Sequence, residues 1–264
     1  MPYYVDTHAH IYVEEFDEDI DEVLARADAA DVRIILLPNI DSTTTHRMKS
    51  VCNRSIMAYP MMGVHPCSVQ PDTYKAELAH VKQELDAGFT SEHGKSYVAA
   101  GEIGIDLHWD TSTLTIQTEA FEQQMLWAHE KELPVAVHCR SAYDEVISSI
   151  ANMGNNRPKG VLHCFTGNLN QAEQLIELGF KLGIGGVVTY KNSGLDKVVA
   201  QLALEHLILE TDSPYLPPTP HRGSRNEPSY VPIIAKKIAD IKGVDMDQIR
   251  STTMQNAHDL FQYR

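Results

Sequence analysis

Residues 134–163 read PVAVHCRSAYDEVISSIANMGNNRPKGVLH. A short apolar run, 134–137, ends at His138. Val146, Ile147 and Ile150 then recur at helical spacing, and a second apolar run, 160–162, ends at His163. Apolar run, amphipathic helix, apolar run is the pattern of two parallel strands joined by a crossover helix. The unit also leaves a histidine at the carboxyl end of each strand, the end at which α/β folds carry their chemistry.

The same unit extends in both directions. Toward the amino terminus, apolar runs stand at 3–5, 33–38, 60–64 and 97–101. Helical faces follow the first, third and fourth (Phe16, Ile20, Val23, Leu24 and Ala27; Tyr74, Leu78, Val81 and Leu85; Leu114, Thr118, Phe121, Met125 and Ala128), and a polar, helix-like stretch near 43–53 follows the second. Toward the carboxyl terminus, runs at 181–184 and 206–209 continue the alternation, and helical stripes close the chain at Val231, Ile234, Ala235 and Ile238 and at Met254, Ala257, Leu260 and Phe261. Pro60 suits the first residue of its strand, where a missing N–H costs little. Eight strands alternating with helices over 264 residues predict a single-domain (β/α)8 TIM barrel spanning 1–264. A doubly wound open sheet is the alternative, but no G-x-G-x-x-G follows the first strand.

Composition narrows the function. Lys plus Arg number 22 and Asp plus Glu 36, a formal charge of −14. That balance argues against a broad, non-specific duplex binder, though not against a small site whose charge metal ions reverse. The four cysteines, 52, 67, 139 and 164, form no C-x-x-C pair, the first residues have no leader pattern, and no apolar run reaches membrane-span length. A cytoplasmic protein with reduced thiols, no membrane contact and no obligate protein partner is expected.

Ligand-type residues then fall at strand ends. His8 and His10 follow strand one, two apart on an extended segment and so on one side. Glu102 follows strand four, His138 and His163 end strands five and six, and Asp212 follows strand eight. In a barrel these ends share one rim. Six nitrogen and oxygen ligands exceed what one four-coordinate ion with an open position needs, and suit two divalent ions (Mg, Mn or Zn). A carboxylate can bridge. The expected sets are His8, His10, Glu102 and Asp212 for one ion, and Glu102, His138 and His163 for the other, with Asp212 orienting and deprotonating a water. Cys139 and Cys164, adjacent to ligands, are expected to face the barrel wall. Asp6 either supports a ligand histidine or is a plain strand-end residue.

Arg140 stands two residues after His138 and shares its direction. Arg222 and Arg225 lie in the loop after strand eight, and Lys191 and Asn192 in the loop after strand seven. Guanidinium groups on the rim of an acidic protein point to an anion site, phosphate above all. Pairing of Arg222 and Arg225 with Glu227 or Glu210 is the structural alternative. His65 stands outside the ligand sets and is expected to bind a phosphate oxygen or help a leaving group. Tyr190, Tyr215 and Trp109 either stack terminal bases or pack the loops.

The motifs Asp6-Thr7-His8-Ala9-His10, Gly63-Val64-His65-Pro66, Gly101-Glu102-Ile103-Gly104-Ile105-Asp106, Val137-His138-Cys139-Arg140, His163-Cys164-Phe165-Thr166-Gly167, Glu210-Thr211-Asp212-Ser213-Pro214-Tyr215 and Arg222-Gly223-Ser224-Arg225-Asn226-Glu227-Pro228 run in order along nearly the whole chain. In them the chain resembles the TatD family of metal-dependent deoxyribonucleases, of the amidohydrolase-like barrel class. The resemblance implies hydrolysis of DNA phosphodiesters with divalent metals, often from the 3′ end. It places the ligands on His8, His10, Glu102, His138, His163 and Asp212, and substrate contacts on His65, Arg140, Arg222 and Arg225. Cys67-Ser68 after His65-Pro66 departs from the family's usual histidine or acidic residue. The expected activity is exonucleolytic cleavage at single-stranded DNA ends, with catalytic roles for Asp212, Glu102 and His65. The alternative is a deacylase or amidohydrolase acting on an ester or amide. Glu102, where many amide enzymes carry a carboxylated lysine, favours phosphate, as does the arginine loop.

Overall fold

The structure, a computed structural model, describes residues 2–263. Its eight strands are β1 (Tyr4–Asp6), β2 (Val32–Pro38), β3 (Ala58–Met61), β4 (Ala100–Asp106), β5 (Val135–Arg140), β6 (Gly160–Leu162), β7 (Phe180–Ile184) and β8 (Leu207–Leu209). The helices between and after them are α1 (Ile20–Ala29), α2 (Thr45–Arg54), α3 (Tyr74–Ala87), α4 (Leu114–Glu130), α5 (Tyr143–Asn152), α6 (Leu169–Glu177), α7 (Leu195–Gln201), α8 (Val231–Lys242) and α9 (Met246–Phe261). Every strand pair is parallel, in chain order, as two runs: β1-β2-β3 and β4 to β8.

Two seams join the runs into a barrel. At one, Met61 bridges Ala99, and Gly101 N–H donates to Met62 O at 3.0 Å. At the other, Ala9 bridges Ser213, Thr7 N–H donates to Leu209 O at 3.0 Å, and Asp212 N–H donates to His8 O at 2.9 Å. Pro60 lies inside β3 rather than at its start. Its carbonyl accepts from Val98 across the first seam. A strand residue's N–H and C=O point the same way, so the missing donor falls on that sparsely bonded seam and spares the β2 ladder.

Alternation along the strands sorts the core. Leu36, Ala136, Val161 and Ile208 belong to one buried cluster, inside the barrel, while Ile35, Leu37, Val135, Val137, Leu162, Leu207 and Leu209 face the helical layer. Leu260, Phe261 and Tyr263, at and beyond the end of α9, join the interior cluster and close the barrel's amino-terminal end. Truncating fully buried Ile208 to alanine should cost about 2–5 kcal/mol.

One strand differs from expectation in a way that moves a site residue. The run at 97–101 predicts β4 to end before Glu102. Instead β4 continues to Asp106, with Glu102 inside it. Gly104, inside the extended strand, is a close-approach glycine. Its φ is +146°, and a Cβ there would lie 2.0 Å from His138 O. The strand passes β5 at a distance only glycine allows. Likewise β5 extends past His138 to Arg140.

Candidate metal centre

Inward-facing positions recur every second residue, so the layer above Ala136, Val161 and Ile208 is His138, His163 and Glu210. Those three, with Glu102 from β4, fill the barrel's carboxyl-terminal mouth. His8 and His10 arrive from the seam segment, where His10 N–H donates to Ser213 O at 2.7 Å. Asp212 follows β8 with a positive φ of +58°, which turns its carboxylate back over the mouth.

Glu102 divides the histidines. Its Oε2 lies 3.2 Å from His8 Nε2 and 3.4 Å from His10 Nε2. Its Oε1 lies 2.8 Å from His163 Nε2 and 3.0 Å from His138 Nδ1. Asp212 Oδ1 stands 3.7 Å from His10 Nε2 and 3.9 Å from His8 Nε2, on the first side only. The structure therefore brings all six expected ligand residues together, as two groups meeting at one carboxylate.

Electrostatics suits a cation. Burial alone would raise the Glu102 carboxyl, but His65, His163 and His8 outweigh it and hold the group well below the usual carboxylate range. Burial pushes His8 well below the ordinary imidazole value, favouring the neutral ring that carries a lone pair. Burial raises Asp212 to about 6, against the pull of His163 and His10. Ring nitrogens also face one another, His8 Nε2 to His10 Nε2 at 3.2 Å and His138 Nδ1 to His163 Nε2 at 3.3 Å. Ring nitrogens packed this closely around one buried carboxylate make a donor set that a divalent cation satisfies, so the residues present fit metal.

Neighbouring side chains set ring orientation. The Tyr12 hydroxyl donates to Pro38 O and lies 2.9 Å from His10 Nδ1. Its hydrogen thus committed, it accepts the Nδ1–H and leaves Nε2 free. Asp106 Oδ2, 2.9 Å from His138 Nε2, accepts that ring's N–H and leaves Nδ1 free. His65 Nδ1 accepts Cys67 N–H at 3.0 Å, so in the neutral ring the proton sits on Nε2, 3.4 Å from Glu102 Oε1. His65 is thus a donor beside the second group. Sequence reading missed Tyr12 and Asp106 as supports, and Glu210 as part of the inward layer. The two-residue phase from Ile208 to Glu210 was the available signal for Glu210. Asp6 is the strand-end residue of its two readings. It accepts from His8 N–H at 3.3 Å and Thr211 N–H at 2.9 Å, clasping β1 to the end of β8 without touching a ligand ring.

A cavity of about 620 Å³ opens above the centre, with Arg140, Trp109, Tyr215 and Leu216 on its wall. Among the described residues, Trp109, Tyr215 and Leu216 are three of the five exposed large hydrophobics. Cys139 and Cys164 line this cavity too, contrary to expectation. At Cys164 the backbone turns left-handed (φ +47°), which ends strand alternation. Neither joins a ligand-type group among the described residues.

The loop arginines behave differently from Arg140. Arg225 makes a bidentate pair with Asp19, at 2.8 and 2.7 Å, and lies over the Phe16 ring. Arg222 packs on Tyr190 at 4.2 Å, and the Tyr190 hydroxyl donates to Pro217 O at 2.9 Å. None of the three lines the cavity, and neither does Lys191. The structure thus does not bring Arg222 and Arg225 to the cavity that Arg140 lines. Arg225 meets a carboxylate of α1's cap that lies far away in sequence, and Arg222 is held over an aromatic face. A larger groove, about 920 Å³, lies at the barrel's other end among Tyr59, Pro134, Lys159 and Tyr263, remote from every ligand-type residue named above.

The profile of the family described as TatD related DNase matches residues 5–262. A Bacillus subtilis protein named uncharacterized metal-dependent hydrolase YabD is 38% identical over 257 residues, covering 97% of this chain and 98% of its own. A Klebsiella pneumoniae protein named 3'-5' ssDNA/RNA exonuclease TatD is 32% identical over 253 residues, covering 94% and 93%. The crystal structure of YjjV, a TatD homolog from Escherichia coli, superposes with a TM-score of 0.89 at 30% identity over 98% of each chain.

Proposed function

This chain belongs to the family of TatD-related DNases and is a metal-dependent hydrolase, and on that footing we propose that it cleaves phosphodiester bonds at free ends of single-stranded DNA. The observation that carries the proposal is the split of Glu102. Each of its oxygens faces a separate histidine group. In this reading His8, His10, Glu102 and Asp212 hold one divalent ion, and Glu102, His138 and His163 hold a second, with Mg, Mn and Zn all compatible with the donors. Divalent ions bound there supply positive charge to a phosphoryl oxygen and make a nearby water more acidic.

The chain's own residues do the rest. Arg140, on the cavity wall, receives the scissile or neighbouring phosphate. The water oxygen bonds to phosphorus while the bond from phosphorus to the departing sugar oxygen breaks. Asp212 takes the water's proton, and His65 Nε2–H gives one to the departing oxygen. Trp109, 74% exposed with Arg140 stacked against it at 5.3 Å, and Tyr215 offer faces for unpaired terminal bases. A recess at strand ends admits a flexible strand end, whereas a duplex would have to bend and unstack to lower a phosphate into it. We assign the 3′ end, the sense carried by the Klebsiella relative's name. The four cysteines are free, and among the described residues no helix is long and apolar enough to cross a membrane.

The test is digestion of linear and circular single strands of one sequence with the same added metal. The linear strand should shorten from its 3′ end while the circle persists. Equal rates on both would mean internal cleavage and would remove the end-recognition reading.

A further inference from the structure

Five buried side-chain polar atoms among the described residues lack a hydrogen-bond partner, and three of them share one place: His8 Nδ1, His163 Nδ1 and Glu210 Oε2. The His8 and His163 rings stack at 3.7 Å with 9° between their planes. Both turn Nε2 toward Glu102, at 3.2 and 2.8 Å, so both turn Nδ1 away from it. A ligand atom of each ring and a Glu210 oxygen lie within 4.8 Å of one another. One ring belongs to each side of the Glu102 divide.

Glu210 is built into that spot. It is fully buried, and its Oε1 accepts the Cys164 N–H. Room for the carboxylate comes from Gly183 on β7, where a Cβ would lie 2.1 Å from Oε2. His163 Nδ1 is 3.7 Å from Oε1, roughly 0.7 Å beyond an ordinary N–H···O length. A carboxylate has two oxygens and about four lone pairs, enough for one backbone N–H and two imidazole N–H groups.

We propose that Glu210 is a shared positioning residue whose carboxylate accepts the Nδ1–H of both His8 and His163, fixing one histidine of each metal group with its Nε2 lone pair toward Glu102. This rests on the two-group reading of the centre. It makes one buried side chain the common reference for both groups from beneath, as Glu102 is from within. A histidine that donates its far N–H to a carboxylate is held in one tautomer and one orientation, and it is a more basic ligand.

The test uses the zinc-loaded full chain and Glu210→Gln, which keeps the shape and the acceptor for Cys164 N–H. In the parent, nitrogen-edited proton spectra should show two downfield, slowly exchanging imidazole Nδ1–H signals, assigned by loss of one each in His8→Gln and His163→Gln. In Glu210→Gln at least one should vanish or exchange rapidly, and zinc affinity by chelator competition should fall about 10- to 100-fold. Unchanged signals and zinc affinity within twofold in a folded Glu210→Gln would leave Glu210 as a pin for the Cys164 backbone and overturn the proposal. Should that variant not fold, the parent spectrum decides. Rapidly exchanging Nδ1–H signals for both rings, or protons found on Nε2, would equally overturn it. If zinc binds as two equivalents while these Nδ1–H signals are unprotected, Glu210's role fails and the two-group reading stands. If zinc binds as one equivalent, that reading itself fails.

Discussion

The two sides of Glu102 are built by different means. His8, His10 and Asp212 sit on the seam between β1 and β8, and the backbone bonds that close the barrel, such as Asp212 N–H to His8 O, also set their positions. Their histidine side chains are 0% and 4% exposed. On the other side, His138 and His163 rise from neighbouring strands, with His65 leaning in from the loop after β3. Here side chains do the orienting, Asp106 for His138 above all, and His65 and His138 are each 16% exposed at the cavity. The first group is part of the barrel's closure. The second is the more open half at His65 and His138, and the first reaches the same cavity through His10 and Asp212. Damage to the first should therefore cost barrel closure as well as metal, and damage to the second should cost metal or chemistry with the fold intact.

The largest effect should come from removing what the halves share. Glu102→Gln keeps volume but removes the charge facing both groups. Elemental analysis should find both ions depleted, and turnover should fall by more than about 10³-fold, with an unchanged circular dichroism spectrum. Retained metal with near-normal activity would make Glu102 a structural residue. His65→Ala sharpens the contrast on the open side. We expect kcat to fall on the order of 10²-fold while metal content stays at the parent level, because the ring gives a proton rather than a lone pair. Metal loss equal to that of His8→Ala would instead make His65 a ligand.

Asp106→Ala should act on one half alone. Losing the acceptor for His138 Nε2–H should weaken one ion by about 10- to 100-fold and leave the other unmoved in a titration. Equal weakening of both would erase the distinction drawn here. The smallest effects separate the arginines. Arg140→Ala should raise KM about 10- to 100-fold with kcat nearly constant, the size of a lost charge-assisted contact of about 1.5–3 kcal/mol. Arg225→Ala should leave KM alone and cost under about 1 kcal/mol of stability, as its pair with Asp19 is partly exposed. Arg225 and then Arg26 hold the Asp19 carboxyl down to about 2. That contribution is complete above the ordinary carboxylate range and fades as pH falls from about 4 toward 2. In urea melts at pH 7 and pH 2.5, the parent and Arg225→Ala should therefore differ more at the higher pH. A rise in KM for Arg225→Ala would return that residue to the site.

Much of this was legible in the chain itself, for physical reasons. Apolar runs and helical stripes report burial directly, so the barrel and its strand order could be read without contacts. Histidines ending apolar runs, as at 138 and 163, fix both depth and direction once the strand phase is known. Illegible features arise where tertiary contact overrides local signals. Gly104 lies beyond the expected strand, at 97–101, but marks close passage beside His138. Arg225 reads as a free rim cation, but its partner Asp19 lies 206 residues away. Tyr12 and Asp106 look like ordinary loop and strand polar residues until the rings they orient are placed. Cys164 follows a ligand and should face away, but its left-handed backbone turns it to the cavity wall.

The central claim is that Glu102 joins two distinct metal groups, and manganese titration followed by electron paramagnetic resonance tests it most directly. The account predicts two equivalents of Mn²⁺ per chain and a spectrum of magnetically coupled ions, as expected for centres roughly 3.5–4 Å apart. A single equivalent, or two equivalents whose spectra are those of isolated ions, would contradict it.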